Sequence, residues 1–282
     1  MHNSRKCVHT YIFDKHFLNN TILFPIQRTT YRHMSTRKHP IGLTSCEIER
    51  FKKGLKACCA FPFIDSIEDY VVEALLCYVR NIAVVDPFFS VRSKQLFDVV
   101  DNITKTGWSV KSIQIERRLP ANREFELVIQ RADVLKKQKD LGFSELTLSS
   151  DPNTIGAALL RHWKMKVDTD SLNQGVTDKR VFILLKPKAN TADRHFYVYE
   201  AHLSQHKPHE LTWKWSNDDK SGLQGIHNKT GRCIYRWYPS QKQLFERFVL
   251  PKNVSKICVN IDRLKLAEAV DMVESFLQAR QG

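Results

Sequence analysis

The sequence predicts a mixed α/β protein in which helices flank a mixed β-sheet. Three observations predict it. Two helical-period segments precede an alternating hairpin, a third, "PNTIGAALLRHWKMKV", separates that hairpin from later strands, and a fourth, "RLKLAEAVDMVESFLQ", closes the chain. With 42% hydrophobic and 10% aromatic residues, the 282-residue chain can bury a sizeable core. No internal repeat or long Pro/Gly/Ser linker divides residues 41–282, which read as a single domain.

Taken in order, residues 1–40 are rich in His, Arg, Lys, Asn and Thr and carry no sustained period. They read as an arm or tail, with Met34 as an alternative start. "TSCEIERFKKGLKACCAF" opens on a Thr/Ser cap, and "SIEDYVVEALLCYVRNIAV" on Ser66 and an acidic first turn, so both read as helices. "KQLFDVV" and "GWSVKSIQI" alternate as strands around the turn "DNITKTG", which supplies Asp, Asn and Gly where a hairpin needs them. "FELVIQRADVLKKQ" fits either a helix or a third strand. "RVFILLK" and "HFYVYEAHL" read as strands, and "ELTWKW" and "CIYRWY" as a further pair.

Charge narrows the function. The chain carries 44 Lys and Arg against 30 Asp and Glu, a net charge of +14, the balance expected of a protein that meets a polyanion. Seven cysteines without a CxxC pair argue against a disulfide framework or a zinc ribbon. The most apolar run, "VVEALLCYVRNIAVV", is broken by Glu73 and Arg80 and is too short for a membrane span, and no secretory signal pattern opens the chain, so a cytoplasmic protein is expected. His202, His206 and His209 fall in a strand-like, proline-interrupted segment and read as surface or loop residues rather than zinc ligands. Glycine-rich phosphate loops, GxSxG and HExxH are absent from the sequence.

The hairpin carries the chemistry. Side chains alternate along a strand, so Ser109 and Lys111 share one face while Trp108 and Val110 take the other, and Asp98 on the neighbouring strand stands near the first pair. An aspartate and a lysine together at a sheet end suit two roles. The carboxylate can ligate a hard cation such as Mg²⁺, and the ammonium can hold an attacking water or a phosphate. An ordinary cross-strand ion pair is the alternative at this point.

Asp98 followed by Ser109-x-Lys111 resembles the PD-(D/E)xK restriction endonucleases, in the branch with a Ser-x-Lys hairpin that reads CCGG, CCNGG or CCWGG sites. The resemblance implies a restriction-endonuclease-like core and Mg²⁺ as cofactor. It implies that Asp98, Lys111 and Ser109 form the catalytic cluster, with Asp98 and a displaced glutamate from the next helix holding the metal. Glu124, thirteen residues after Lys111, is that glutamate, with Glu126 its rival. Glu73, with Glu68 as rival, stands where the fold adds a further acidic residue. An acidic-Arg pair that reads G and C is matched by Glu116 and Arg117, although the basic residue that usually precedes it is Ile115 here.

Independently of the resemblance, Arg117 can donate twice to guanine O6 and N7 and Glu116 can accept from cytosine N4. Arg118 and Arg123 suit phosphates, as do Arg236 and Lys242 in "RCIYRWYPSQKQLFERF" and Arg161 and Lys164 in "RHWKMK". Trp213, Trp215, Trp237 and Tyr238 read as core or sheet residues.

The expected function is a type II restriction endonuclease that cuts double-stranded DNA at a short palindrome. A homodimer would match the two-fold axis, a tetramer would also do so, and a cognate DNA methyltransferase encoded nearby would protect the host. Membrane partners are not expected. Two rivals remain: a non-catalytic DNA-binding protein, and a structure-specific repair nuclease with the same metal core.

Overall fold

The computed structural model describes residues 39–62, 67–83, 95–116, 119–188, 193–260 and 262–279. Residues 38–282 form one compact unit, and the expected N-terminal arm lies outside the described residues except at 39–40. The fold is mixed α/β, with a mixed sheet flanked by helices, as the periodicities predict.

Helix α1 (Ser45–Ala60) starts on a complete capping box: Glu47 N–H donates to the Thr44 hydroxyl, and Thr44 N–H donates to the Glu47 carboxylate at 2.7 Å. Its buried residues Phe51, Leu55 and Cys59 repeat every four positions, so one stripe faces the core. Helix α2 (Asp69–Arg80) has Glu68 at its N-cap, while the expected cap Ser66 lies outside the described residues. It ends on Asn81 in the left-handed region, φ 57°.

Strands β1 (Val99–Asp101) and β2 (Thr106–Ile115) form the expected antiparallel hairpin. Asp101 organises the turn by accepting from Ile103 N–H (2.9 Å) and the Thr104 hydroxyl (2.7 Å). Those bonds hold the Asp101 carboxyl below its usual value against the burial that would raise it. Gly107 serves packing, because a Cβ there would stand 2.7 Å from the Val176 side chain and 2.8 Å from the Phe97 ring.

Helix α3 (Pro152–Gln174) is capped by Asp151, which accepts from Thr154 N–H at 2.9 Å, and stops at Gly175, φ 64°. It leads to β4 (Asp178–Pro187), which lies parallel to β2 along its whole length. Strand β5 (Asp193–His202) pairs antiparallel with β4.

The remaining strands divide in a way that periodicity does not show. "FELVIQR" is a strand, β3 (Glu124–Arg131), but it joins a second sheet with β6 (Leu211–Trp215), β7 (Leu223–His227), β8 (Cys233–Tyr238) and β9 (Gln243–Val249). Its order is β3-β9-β8-β7-β6, all antiparallel. The first sheet is ordered β1-β2-β4-β5-β10, where β10 (Ser255–Asn260) precedes helix α4 (Leu266–Ala279).

Packing follows from alternation. Trp108, Val110, Phe182, Leu184, Phe196 and Val198 meet α1 and α2 on one face of the first sheet. Val181, Ile183 and Leu185 on its other face meet Leu127 and Leu250 of the second-sheet side. Helix α3 covers the second sheet through Leu159, Trp163, Trp213, Tyr235 and Trp237.

Candidate active site

The structure brings Asp98, Ser109 and Lys111 together on the β1-β2 hairpin. Asp98 stands immediately before β1, where its N–H donates to the Trp108 carbonyl (2.9 Å) and its carboxylate accepts from Val110 N–H (2.8 Å). Lys111 Nζ lies 3.9 Å from Asp98 Oδ2, with the side chains 31% and 27% exposed. Ser109 is buried beside them on β2. The approach to Asp98 is held by α3: Asp170 accepts from Leu96 N–H (2.6 Å), and Gln174 accepts from Phe97 N–H (3.3 Å) and donates to its carbonyl (2.7 Å). The aspartate is therefore set in place by backbone bonds on both sides.

One expectation is corrected. Glu124 was expected on the helix after the hairpin, but it opens strand β3 of the second sheet, because the segment pairs along β9 with Glu124 opposite Val249. Its carboxylate pairs with Arg247 at 2.8 Å. The rival Glu126 is also taken, by Arg236 (3.0 Å) and Arg247 (3.3 Å). Glu73 lies half-buried on α2. Burial first, and the Glu73 charge second, push the Cys77 thiol up to about 11.

The expected DNA contacts divide similarly. Arg117 and Arg118 lie outside the described residues. Glu116 is exposed and sits 3.4 Å from Lys188 Nζ. Four other cations have protein partners: Arg123 donates to the Pro251 carbonyl (2.6 Å), Lys242 pairs with Asp133 (2.8 Å), Lys164 pairs with Asp168, and Arg236 pairs with Glu126 (3.0 Å). Ile115 is buried. The three histidines do not converge: His202 is 3.5 Å from Asp178, His206 bonds Tyr235, and His209 lies in a 3₁₀ turn. Among the described residues, no three His, Cys, Asp or Glu side chains group as metal ligands.

Sequence reading missed a buried charge cluster behind the hairpin. Glu200 on β5 accepts from Arg80 (2.7 Å), Arg180 (2.8 Å), Trp108 Nε1 (2.7 Å) and Gly42 N–H (3.0 Å). Arg180 also donates to the carbonyls of His39 (2.6 Å) and Pro40 (2.9 Å), tying the start of the described chain to the sheet. The signal was present in "RHFYVYE", where Arg194, Phe196, Val198 and Glu200 share one strand face and all are buried. A charge in register with an apolar row is a buried charge.

The single carboxylate of Asp98 beside an ammonium fits Mg²⁺, which binds through one or two carboxylates and fills its other positions with water and substrate phosphate oxygens. No protein-family model, curated protein or solved structure matches the chain.

Proposed function

We propose that this protein is a Mg²⁺-dependent endonuclease acting on double-stranded DNA, of the type II restriction class, cutting within a short G/C-containing palindrome as a homodimer. The observation that carries this reading is the partly exposed Asp98–Lys111 pair at 3.9 Å, next to buried Ser109 on the β1-β2 hairpin. The net charge of +14 supports a polyanionic substrate.

In this reading Asp98 would hold the cation, and Lys111 orients the water that attacks phosphorus or neutralises a non-bridging phosphate oxygen. When bound, Mg²⁺ would neutralise charge on the phosphoryl group and acidify water. Ser109, buried on β2, would support the metal shell. In-line attack breaks the P–O3′ bond and leaves a 5′-phosphate and a 3′-hydroxyl. Glu116, exposed beyond the end of β2, is the nearest candidate for base readout, with Arg117 beside it in the sequence.

Plasmid DNA incubated with the purified chain and Mg²⁺ should give discrete fragments. Asp98→Ala and Lys111→Ala should each lower the rate by at least ~10²-fold while specific binding survives. A smear, or preference for branched DNA, would indicate a repair nuclease. Retention by DNA without cutting under any divalent cation would indicate a binding protein.

A further inference from the structure

Away from the hairpin, β5 and β9 line an open cleft of about 270 Å³ whose lining includes Tyr199, Ser204, His206, Arg232, Glu246 and Phe248. Its unusual member is Glu246. The β9 strand turns Leu244 and Glu246 to the same buried side, and Glu246 is 4% exposed. A buried carboxylate is normally neutralised by a cation, yet among the described residues Glu246 makes no ion pair. Its protein partner is the Ser204 hydroxyl, while Tyr199 from β5 and Tyr235 from β8 face it. His206, bonded to Tyr235 at 3.0 Å, is kept neutral by burial first. Burial pushes the Glu246 carboxyl up to about 7.

Such a group is stabilised by a ligand that brings hydrogen-bond donors without a full charge. An ionised carboxylate offers acceptors only, and its geometric complement is two parallel N–H donors. The guanine edge supplies these from N1 and the 2-amino group. A guanidinium supplies them too, but Arg232 on the exposed rim disfavours a cation and favours an anionic phosphate, whereas Arg247 is committed to Glu124 and Glu126. The Tyr199 and Phe248 rings provide apolar, aromatic surface for a planar base.

We propose that this cleft binds a guanine nucleotide, with the Glu246 carboxylate accepting from N1–H and the 2-amino group, and with the phosphate at Arg232. The site is independent of the endonuclease reading, and its test uses no cleavage.

Binding of 5′-GMP, 5′-IMP and 5′-AMP is measured by calorimetry at pH 8. GMP should bind at least ~10-fold more tightly than IMP, which lacks the 2-amino donor, and more tightly still than AMP. A pH series with guanosine, whose lack of phosphate removes that group's titration, should show about tenfold tighter binding at pH 8 than at pH 6, following ionisation of a carboxyl near 7. Glu246→Gln should abolish both the guanine preference and the pH dependence, and Arg232→Ala should weaken GMP but not guanosine. Single-stranded oligonucleotides with guanine or inosine at one position separate a free nucleotide from a base within a strand. No binding of GMP or guanosine, equal affinity for GMP and AMP, or guanosine binding that does not change with pH would overturn the assignment, and the wild-type measurements decide it even if Glu246→Gln does not fold.

Discussion

Replacing Glu200 tests the claim that the hairpin rests on a buried charge cluster. The carboxylate has no exposed surface, and its two oxygens take four donors: Trp108 and Arg180 on Oε1, Arg80 and Gly42 on Oε2. In Glu200→Ala, Arg80 keeps Glu47 (3.0 Å) and Arg180 keeps Asp178 (2.6 Å), so neither cation is left alone. The Trp108 and Gly42 donors lose their acceptor, at about 1–3 kcal/mol each, and two charged hydrogen bonds vanish. Relief of the carboxylate's own desolvation offsets part of this, leaving a loss of about 3–5 kcal/mol, the range for breaking a buried pair. In urea, with a slope of about 3 kcal/mol per M, the midpoint should fall by more than ~1 M. Tryptophan fluorescence follows it, since Trp108 sits in the cluster between the Arg80 and Arg180 guanidiniums, each 5.8 Å from its ring. Amide exchange at Gly42 should also accelerate, because its acceptor is gone. A loss under ~1 kcal/mol with unchanged exchange at Gly42 would refute the reasoning.

Glu124→Ala should keep cleavage within ~10-fold of the wild-type rate, because its carboxylate is engaged by Arg247, and should cost no more than about 1 kcal/mol as a partly exposed pair; complete loss of cutting would show that Glu124 leaves Arg247 to join the metal site. Wild-type stability should fall by about 3 kcal/mol as pH rises from 4.5 to about 7 on account of Glu246, because the folded state holds that proton longer than the unfolded chain, and should then level off. Glu246→Gln should lack this decline in urea midpoints compared at pH 5 and pH 8. Gly156→Ala should destabilise by about 1–3 kcal/mol despite alanine's better helix propensity, since its Cβ would lie 2.3 Å from the Trp213 ring; an unchanged thermal midpoint would mean that the indole moves aside.

Short-range chemistry was legible in the sequence, and long-range pairing was not. The Thr44 capping box, the Asp151 cap and the alternation that puts Ser109 and Lys111 on one face are each set within a few residues. Which sheet a strand joins depends on partners far away. Strand β3 follows β2 directly in sequence, yet it pairs with β9, more than a hundred residues later. That choice carried Glu124 away from the helix on which it was expected and gave it to Arg247. The tryptophans read as core residues are core: Trp213 and Trp237 are buried under α3, and Trp215 packs against them. Glu200 and Glu246 stand out only by register, each lying in line with an apolar row of its strand, and not by any local motif.

That register also distinguishes the proposed site from the structural charges. Glu200, Arg80 and Arg180 are fully or almost fully buried and closed at 2.7–2.8 Å, as expected of groups whose desolvation must be repaid by short bonds. Asp98 and Lys111 have the opposite character, with side chains about three-tenths exposed and a separation of 3.9 Å. The spacing is not slack in the backbone, because Asp98 is fixed by bonds to Trp108 and Val110, and the residues before it are held by Asp170 and Gln174. A water or a phosphate oxygen can sit against both groups at this distance, whereas at 2.8 Å the ammonium would be occupied by the carboxylate. The hairpin thus sets a carboxylate and an ammonium at a spacing that leaves room for a third group against both, as the proposed phosphodiester hydrolysis would need.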